Sequence, residues 1–203
     1  MKKIIVFVLL IMLAAGLLLG FQAYQRVFAP NVDTGGKTRY FYVPTGSGFS
    51  DLLDSLQSSG FIEDLAPFEW VARKKNLPAH VNPGRYASKD GMSNNALVNL
   101  IRSGQQAPLM LTIHGKRTRE QLAGQVAQKL ELDSASLVRA MNNPDVAARF
   151  GFTPETIKAM ILPNTYEMYW NTQAQEFLAR MHKEYKQFWD PARKEKLKRS
   201  GLT

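Results

Sequence analysis

An uninterrupted apolar segment near the N-terminus limits the possible folds of this chain most strongly. Residues 4–21 contain 18 consecutive positions without a charged or strongly polar side chain. At 1.5 Å per residue a helix of this length spans roughly 27 Å, close to the roughly 30 Å hydrocarbon core of a bilayer. The length therefore predicts a transmembrane helix over residues 4–22.

A cleavable signal peptide is the alternative interpretation of such a segment. Its apolar region usually runs about 7–15 residues and ends in an A-x-A-like cleavage site. This apolar run is longer, and Ala23 near its end has the bulky Phe21 two positions before it. Phe21, Tyr24 and Phe28 are typical of the aromatic belt at a membrane interface. We therefore predict a retained single-pass anchor.

The charge pattern predicts an orientation and an anionic environment. Lys2 and Lys3 precede the apolar run, which by the positive-inside rule keeps a short stub, residues 1–3, in the cytoplasm. The anchor would then lie in the inner (plasma) membrane and the bulk of the chain in the periplasm. The net charge of +9 indicates an anionic partner, for which membrane lipid and the cell wall are the simplest candidates. Without a nucleic-acid-binding motif, and given the exported topology, we do not expect nucleic acid as a partner.

Several kinds of chemistry are unsupported by the composition. Cysteine is absent, which excludes disulfides, thiolate metal sites and a cysteine nucleophile. The three histidines, His80, His114 and His182, are far apart and lack the spacing of paired metal ligands. We expect no metal and no cofactor.

The first part of the chain after the anchor predicts a strand–helix–helix–strand module. Residues 23–38 are polar towards their end and predict a linker. Arg39 to Val43 has strand composition. Two helical patterns follow, then a turn into a strand at residues 83–87, and Ser93 is placed to cap a third helix. These elements make up a module of residues 39–108.

The second part, residues 109–203, predicts a strand followed mostly by helices. Leu109 to Ile113 has strand composition, and Thr118 with Gln121 has the spacing of a capping box. Further helix starts are predicted at Asp133, at residues 153–155 (where proline would take the first helical position) and at residues 172–175. The fold class is therefore α+β: an N-terminal transmembrane helix, a βααβ module and a helix-rich module.

The nine residues 162–170, which read LPNTYEMYW, hold the candidate site. They concentrate three aromatic rings, the carboxamide of Asn164 and the carboxylate of Glu167. Sugar rings offer both C–H faces and hydroxyls, so this composition suits a glycan-binding cleft. The same segment has a structural interpretation, because Asn164 and Glu167 have the spacing of a capping box at a helix start. Met168, Tyr169 and Trp170 would then belong to the core.

The segment resembles the LPNTYE signature of the YceG-like family of endolytic murein transglycosylases. Two further segments, Val43 to Gly48 and Pro83 to Tyr86, follow the anchor in the order of that family. The resemblance extends from Lys2 to Thr203. It implies that residues 39–108 are a LysM-like module and residues 109–203 a partial transglycosylase catalytic domain. Peptidoglycan glycan strands would be the partner, with peptidoglycan synthases nearby.

The resemblance also implies where the chemistry is carried. Cleavage of a glycosidic bond needs a carboxylic acid with a raised pKa. A hydrolase adds a second carboxylate, whereas a lytic transglycosylase uses the 6-hydroxyl of the substrate's own muramyl residue. In the resembled family the acid lies in an Ile-Glu-x-Glu-Thr-like segment, after the region that matches residues 200–203. We therefore expect a C-terminally truncated, inactive chain with no catalytic residue of its own.

Four residues are expected to bind substrate. By the aromatic composition and the resemblance they are Asn164, Tyr166, Glu167 and Tyr169. The predicted function is a membrane-anchored enzyme that cuts nascent glycan strands to 1,6-anhydro-muramyl ends and so terminates elongation. The alternative is a non-enzymatic, anchored peptidoglycan-binding or scaffold protein.

Overall fold

The computed structural model describes residues 2–201 and has a helix-rich α+β fold. It divides into two compact units, Met1–Ala107 and Pro108–Thr203. Each unit holds a two-stranded antiparallel sheet packed against helices. The predicted fold class, α+β behind one apolar N-terminal helix, is confirmed at this level.

Helix α1, Lys2–Phe28, contains the apolar run. The stretch Lys3–Phe28 is long and apolar enough to cross a membrane, and none of its most apolar window is buried within the protein. In water so many exposed apolar side chains would be unfavourable, whereas a bilayer removes them from water. The prediction of a helix able to span a membrane is confirmed by length and composition. The helix continues six residues beyond the predicted end of the anchor.

Buried amide groups join the end of α1 to the first unit. The Asn94 side chain donates to the carbonyl oxygen of Arg26 at 2.9 Å. It also accepts, through Oδ1, a hydrogen bond of 2.7 Å from the amide of Asn31. The amide of Asn31 in turn exchanges hydrogen bonds with the backbone of Asp64. Part of the predicted linker, residues 23–38, is therefore held inside the unit rather than being a free tether.

The first unit follows the order strand, two helices, strand, helix. Its elements are β1 (Arg39–Val43), α2 (Phe49–Ser59), α3 (Leu65–Lys74), a 3₁₀ turn (Leu77–Ala79), β2 (Gly84–Ser88) and α4 (Asn94–Arg102). The strands are antiparallel, with Phe41 opposite Tyr86. These two rings stack with centroids 5.5 Å apart at the centre of the core. The prediction of a strand at residues 39–43 and of Ser93 as a helix cap is confirmed.

The second unit repeats this order with two added helices. Its elements are β3 (Leu109–Ile113), α5 (Arg119–Ala127), α6 (Ser134–Asn142), α7 (Pro144–Arg149), a 3₁₀ turn (Ile157–Met160), β4 (Asn164–Met168), α8 (Ala174–Phe188) and α9 (Pro191–Arg199). The strands are antiparallel, with Leu111 opposite Tyr166. Helices α5, α6 and α8 supply eight buried residues of the core, and the strands, α7 and the connecting turns supply the others.

Each unit contains the same kind of hydrogen bond, from a side chain of its first helix after the strand to the fourth residue of its first strand. In the first unit the Ser55 hydroxyl donates to the carbonyl oxygen of Tyr42 at 2.9 Å. In the second unit the Gln125 amide donates to the carbonyl oxygen of Thr112 at 3.0 Å. The donor and the acceptor of the second unit each follow their counterparts in the first unit by 70 residues, whereas β4 follows β2 by 80 residues. The difference arises because α7 and its neighbouring turns have no counterpart in the first unit. The two units are thus two versions of one β–α–α–β–α module.

Two predicted helix starts are wrong in detail. Residues 153–156 form a turn followed by the 3₁₀ segment Ile157–Met160, not an α-helix. The predicted capping box at residues 172–175 is displaced by one residue, since α8 follows Gln173. The backbone N–H of Gln173 donates to the Glu176 carboxylate at 3.0 Å, which makes this register the better capped one.

Candidate functional site

Strand β4 positions the four predicted site residues. It pairs with β3, with Glu167 opposite Met110 and Thr165 opposite Thr112. Since side chains alternate along a strand, Tyr166 and Met168 are buried while Thr165 and Glu167 are exposed. The alternative interpretation of the segment as a helix start capped by Asn164 is wrong, because pairing with β3 keeps residues 164–168 extended.

Tyr166 lies at the centre of the second core. Its side chain is only 3% exposed, and its hydroxyl donates to the carbonyl oxygen of Leu162 at 2.7 Å. Burial raises the pKa of Tyr166, and the nearby Glu184 charge raises it further while Arg180 opposes the shift. The residue is thus a neutral, hydrogen-bonded core side chain with one edge towards a cavity.

Asn164 and Tyr166 border one small cavity. It has a volume of about 330 Å³ and is also lined by Glu184, Phe188 and Arg193. The Asn164 side chain is exposed, and its Oδ1 accepts a hydrogen bond of 2.8 Å from the Thr165 backbone.

Glu167 and Tyr169 border a different cavity of about 430 Å³. Thr172, Glu176 and Arg180 also line it. Tyr169 is 53% exposed, which leaves a ring face available for contact with a sugar. Arg180 fixes the wall of this cavity, because it donates to the Glu167 carbonyl oxygen at 3.1 Å and to the Glu184 carboxylate at 2.7 Å. The predicted residues are therefore distributed over two depressions, one towards the start of β4 and one towards its end.

A larger cavity, about 790 Å³, lies on the β3 side of the same sheet. Its walls are the outer face of β3 and one face of α5, where Gln121, Gly124, Gln125 and Gln128 follow each other at helical spacing. We did not predict this cavity from the sequence. The spacing of the three glutamines was visible, but only the packing of α5 beside β3 turns that polar face into a groove.

The carboxyl groups with a displaced pKa are all displaced downwards. A backbone hydrogen bond from Thr34 lowers the pKa of Asp90, while hydrogen bonds at the helix start and near Thr153 lower those of Glu120 and Glu155. Burial lowers the pKa of His182. Within residues 2–201 no three His, Cys, Asp or Glu side chains cluster as metal ligands do. These lowered carboxyl groups suit anionic acceptors rather than proton donors.

The fold defines an α+β protein with two related modules behind one apolar helix. The sequence profile of the YceG-like family matches residues 41–203. The chain belongs to the YceG-like family. This membership confirms the resemblance seen in the LPNTYE segment and the two segments before it.

A solved structure adds a comparison at the level of the fold. A protein of Listeria monocytogenes, described as YceG-like, is 20% identical to this chain with a TM-score of 0.42. The match covers 81% of this chain and 59% of the Listeria chain, so this chain spans less than two thirds of that protein. Comparison with curated protein sequences finds no match.

Proposed function

We propose that this chain is the anchored, glycan-binding part of an endolytic peptidoglycan transglycosylase. The observation that carries the proposal is membership of the YceG-like family over residues 41–203, directly behind a helix able to span a membrane. The proposed substrate is the nascent glycan strand. The proposed location is the inner membrane, with Lys2 and Lys3 on the cytoplasmic side and the two units outside. Peptidoglycan synthases are the proposed neighbours.

Glycan contact is proposed for the β4 surface. The Tyr169 ring offers an exposed apolar face beside the Glu167 carboxylate, and both border the 430 Å³ cavity. A sugar presents C–H faces to an aromatic ring and hydroxyls to a carboxylate, which accepts hydrogen bonds at up to four sites. Asn164 would add a carboxamide at the start of the strand, beside the 330 Å³ cavity. The first unit has the strand–helix–helix–strand order of a LysM-like module, for which we propose glycan contact as well.

The proposed reaction needs one acid and no water. The acid protonates the leaving glycosidic oxygen as the bond to the muramyl anomeric carbon breaks. The muramyl 6-hydroxyl attacks that carbon and loses its proton, which leaves a 1,6-anhydro ring at the new end. Such an acid needs a raised pKa, whereas the pKa values of Asp90, Glu120 and Glu155 are lowered. We propose that this acid is supplied by the Ile-Glu-x-Glu-Thr-like segment that the family resemblance implies.

The test compares this chain with a version extended through that segment. Both proteins, in detergent micelles, are incubated with uncrosslinked glycan strands, and the products are analysed by mass spectrometry. We expect both proteins to bind the strands. Only the extended protein should release products whose new ends are lighter by one water than the reducing ends that hydrolysis gives. Products carrying an added water would indicate a hydrolase and contradict the proposal.

An anchored peptidoglycan-binding protein without activity is the second candidate. The exposed Tyr169 ring beside the Glu167 carboxylate supports it, because glycan binding at this surface needs no proton donor. If both versions bind glycan strands and neither forms anhydro ends, this second function replaces the first. If neither version binds the strands, both functions are excluded.

A further inference from the structure

One cavity of the second unit is larger than the two cavities beside β4 and is lined by other residues. Its volume is about 790 Å³. We call it the β3–α5 groove; its lining residues are Met110, Thr112, His114, Lys116, Gln121, Gly124, Gln125, Gln128 and Lys129. The first three lie on the outer side of β3 and the loop after it, and the last five lie along and just beyond α5.

Two basic side chains line the groove. Lys116 and Lys129 both line it, and no carboxylate is among its lining residues. The loop that carries Lys116 is itself held in place, because the Lys158 ammonium group donates to the carbonyl oxygen of Lys116 at 2.8 Å. A pair of ammonium groups beside glutamine amides is complementary to carboxylate groups.

Gly124 is unfavourable for the helix that contains it. A glycine inside a helix destabilises it by roughly the difference from alanine, about 1 kcal/mol. Gly124 does not have a left-handed backbone, and a Cβ added there would meet no atom within 4 Å. Packing within the described part of the chain therefore does not require a glycine. A glycine that lines a groove and is not needed for packing leaves room for a ligand to approach the helix backbone.

The positions of the first unit that correspond to the groove residues include two acidic and no basic side chains. At a separation of 70 residues, Gly124 corresponds to Asp54 and Gln121 to Asp51, while Gly46 and Ser59 replace the two lysines. The same module thus presents two acidic groups in one unit and two basic groups in the other. Because the backbone arrangement is shared, folding of the module does not demand the basic set, which points to binding.

We propose that the β3–α5 groove binds the carboxylate-bearing stem peptide of a peptidoglycan strand. This inference rests on the proposed function and assigns a second part of the same substrate. The residues that line the groove include no tryptophan, tyrosine or phenylalanine, so the groove lacks the ring faces that sugars need. It suits a flexible peptide with carboxylates, while the β4 surface takes the sugar rings.

The test uses the full chain in detergent micelles and isothermal titration calorimetry. The ligand is a disaccharide muropeptide with its stem peptide. The comparison ligands are the same muropeptide with amidated carboxylates, uncharged chitotetraose and inorganic phosphate. The groove variant is Lys116→Glu with Lys129→Glu. The matched control is Lys183→Glu with Lys186→Glu, which makes the same charge change at exposed positions of α8 outside the groove.

We expect the groove variant to bind the muropeptide about tenfold or more weakly, with chitotetraose binding unchanged. The control variant should bind both as the native chain does. Gly124→Gln fills the groove with a side chain already common there, so we expect weaker muropeptide binding together with a higher melting temperature. Loss of binding with a stabilised fold separates a blocked site from a damaged one.

Each of the following outcomes would overturn a specific part of the proposal. Equal muropeptide affinity of the groove and control variants overturns the groove while leaving the glycan-binding function intact. Equal affinity for native and amidated muropeptide, or binding of inorganic phosphate at the same strength as the muropeptide, overturns the stem peptide as the occupant. If the native chain binds neither muropeptide nor chitotetraose, the proposed function fails together with this inference.

Discussion

Tyr86 and Tyr166 occupy the same position in the two units. Each is the buried central residue of the second strand, and each donates its hydroxyl to the carbonyl oxygen four residues earlier. The distances are 2.8 Å from Tyr86 to Asn82 and 2.7 Å from Tyr166 to Leu162. This contact ties the strand to the turn before it, so the LPNTYE segment owes its tyrosine first to the architecture of the module. The residues of β4 for which we propose glycan contact, Asn164 and Glu167, are exposed.

The stability of the first unit should fall at alkaline pH through Tyr86. Burial raises the pKa of Tyr86 to about 12, above its ordinary value of about 10. The unfolded chain therefore ionises first, and the stabilisation by the neutral phenol, complete below about pH 10, is lost between about pH 10 and 12. Tyr86→Phe should destabilise the chain by about 1 kcal/mol near neutrality and show a shallower alkaline decline in urea unfolding. Identical alkaline curves for the native chain and Tyr86→Phe would contradict the assignment.

The amide of Gln125 should hold the outer edge of β3. It donates to the carbonyl oxygen of Thr112 at 3.0 Å and accepts from the backbone N–H of His114 at 3.4 Å. Removing it in Gln125→Ala should destabilise the second unit by about 1 kcal/mol and speed hydrogen exchange at the His114 amide. Gln128→Ala, one turn along the helix at an exposed position, is the control. Unchanged exchange at His114 in Gln125→Ala would show that the edge is held by other contacts.

Two glycines should respond to alanine with opposite signs. Gly124→Ala should raise the free energy of unfolding by about 1 kcal/mol, because the added Cβ meets no atom within 4 Å. Gly84 has φ of +147°, and a Cβ there would collide with the side chain of Gln106. Gly84→Ala should therefore destabilise the chain by about 1–3 kcal/mol. Thermal unfolding of both variants tests this, and a destabilised Gly124→Ala would mean that the helix needs its glycine for the fold.

Glu167 should contribute to glycan binding without contributing to stability. Its side chain is exposed at the edge of the 430 Å³ cavity, and a carboxylate accepting sugar hydroxyls contributes about 1.5–3 kcal/mol. Glu167→Gln should weaken chitotetraose binding about tenfold at an unchanged melting temperature, measured by calorimetry on the full chain. Glu195→Gln, at a surface ion pair in α9, is the control with the same charge change. Equal affinities would return Glu167 to a surface role.

The sequence predicted elements well where the signal is local. Ser93, Thr118 and Asp133 cap helices as expected, because each cap depends on a side chain and backbone groups within three residues. The start of α8 was missed by one residue, since Gln173 and Glu176 compete with the neighbouring pair for the same role. The repeat of the module was also missed, although Pro83 and Pro163 precede the two tyrosines at equal distances. Few side chains coincide between the units, so the repeat is visible mainly in the backbone.

The sequence alone determined the apolar helix and the two first strands, because segment length and side-chain pattern decide these elements within a few residues. It also determined the family, through three short segments in a fixed order. Only the tertiary structure decided that residues 164–168 are a strand, since the cap-like spacing of Asn164 and Glu167 also fits a helix start. The pairing that settles it is with β3, more than 50 residues away. That same pairing turns Tyr166 inwards and Glu167 outwards, and the packing of α5 beside β3 forms the β3–α5 groove. Contacts between distant segments create these surfaces, so no local pattern could predict them.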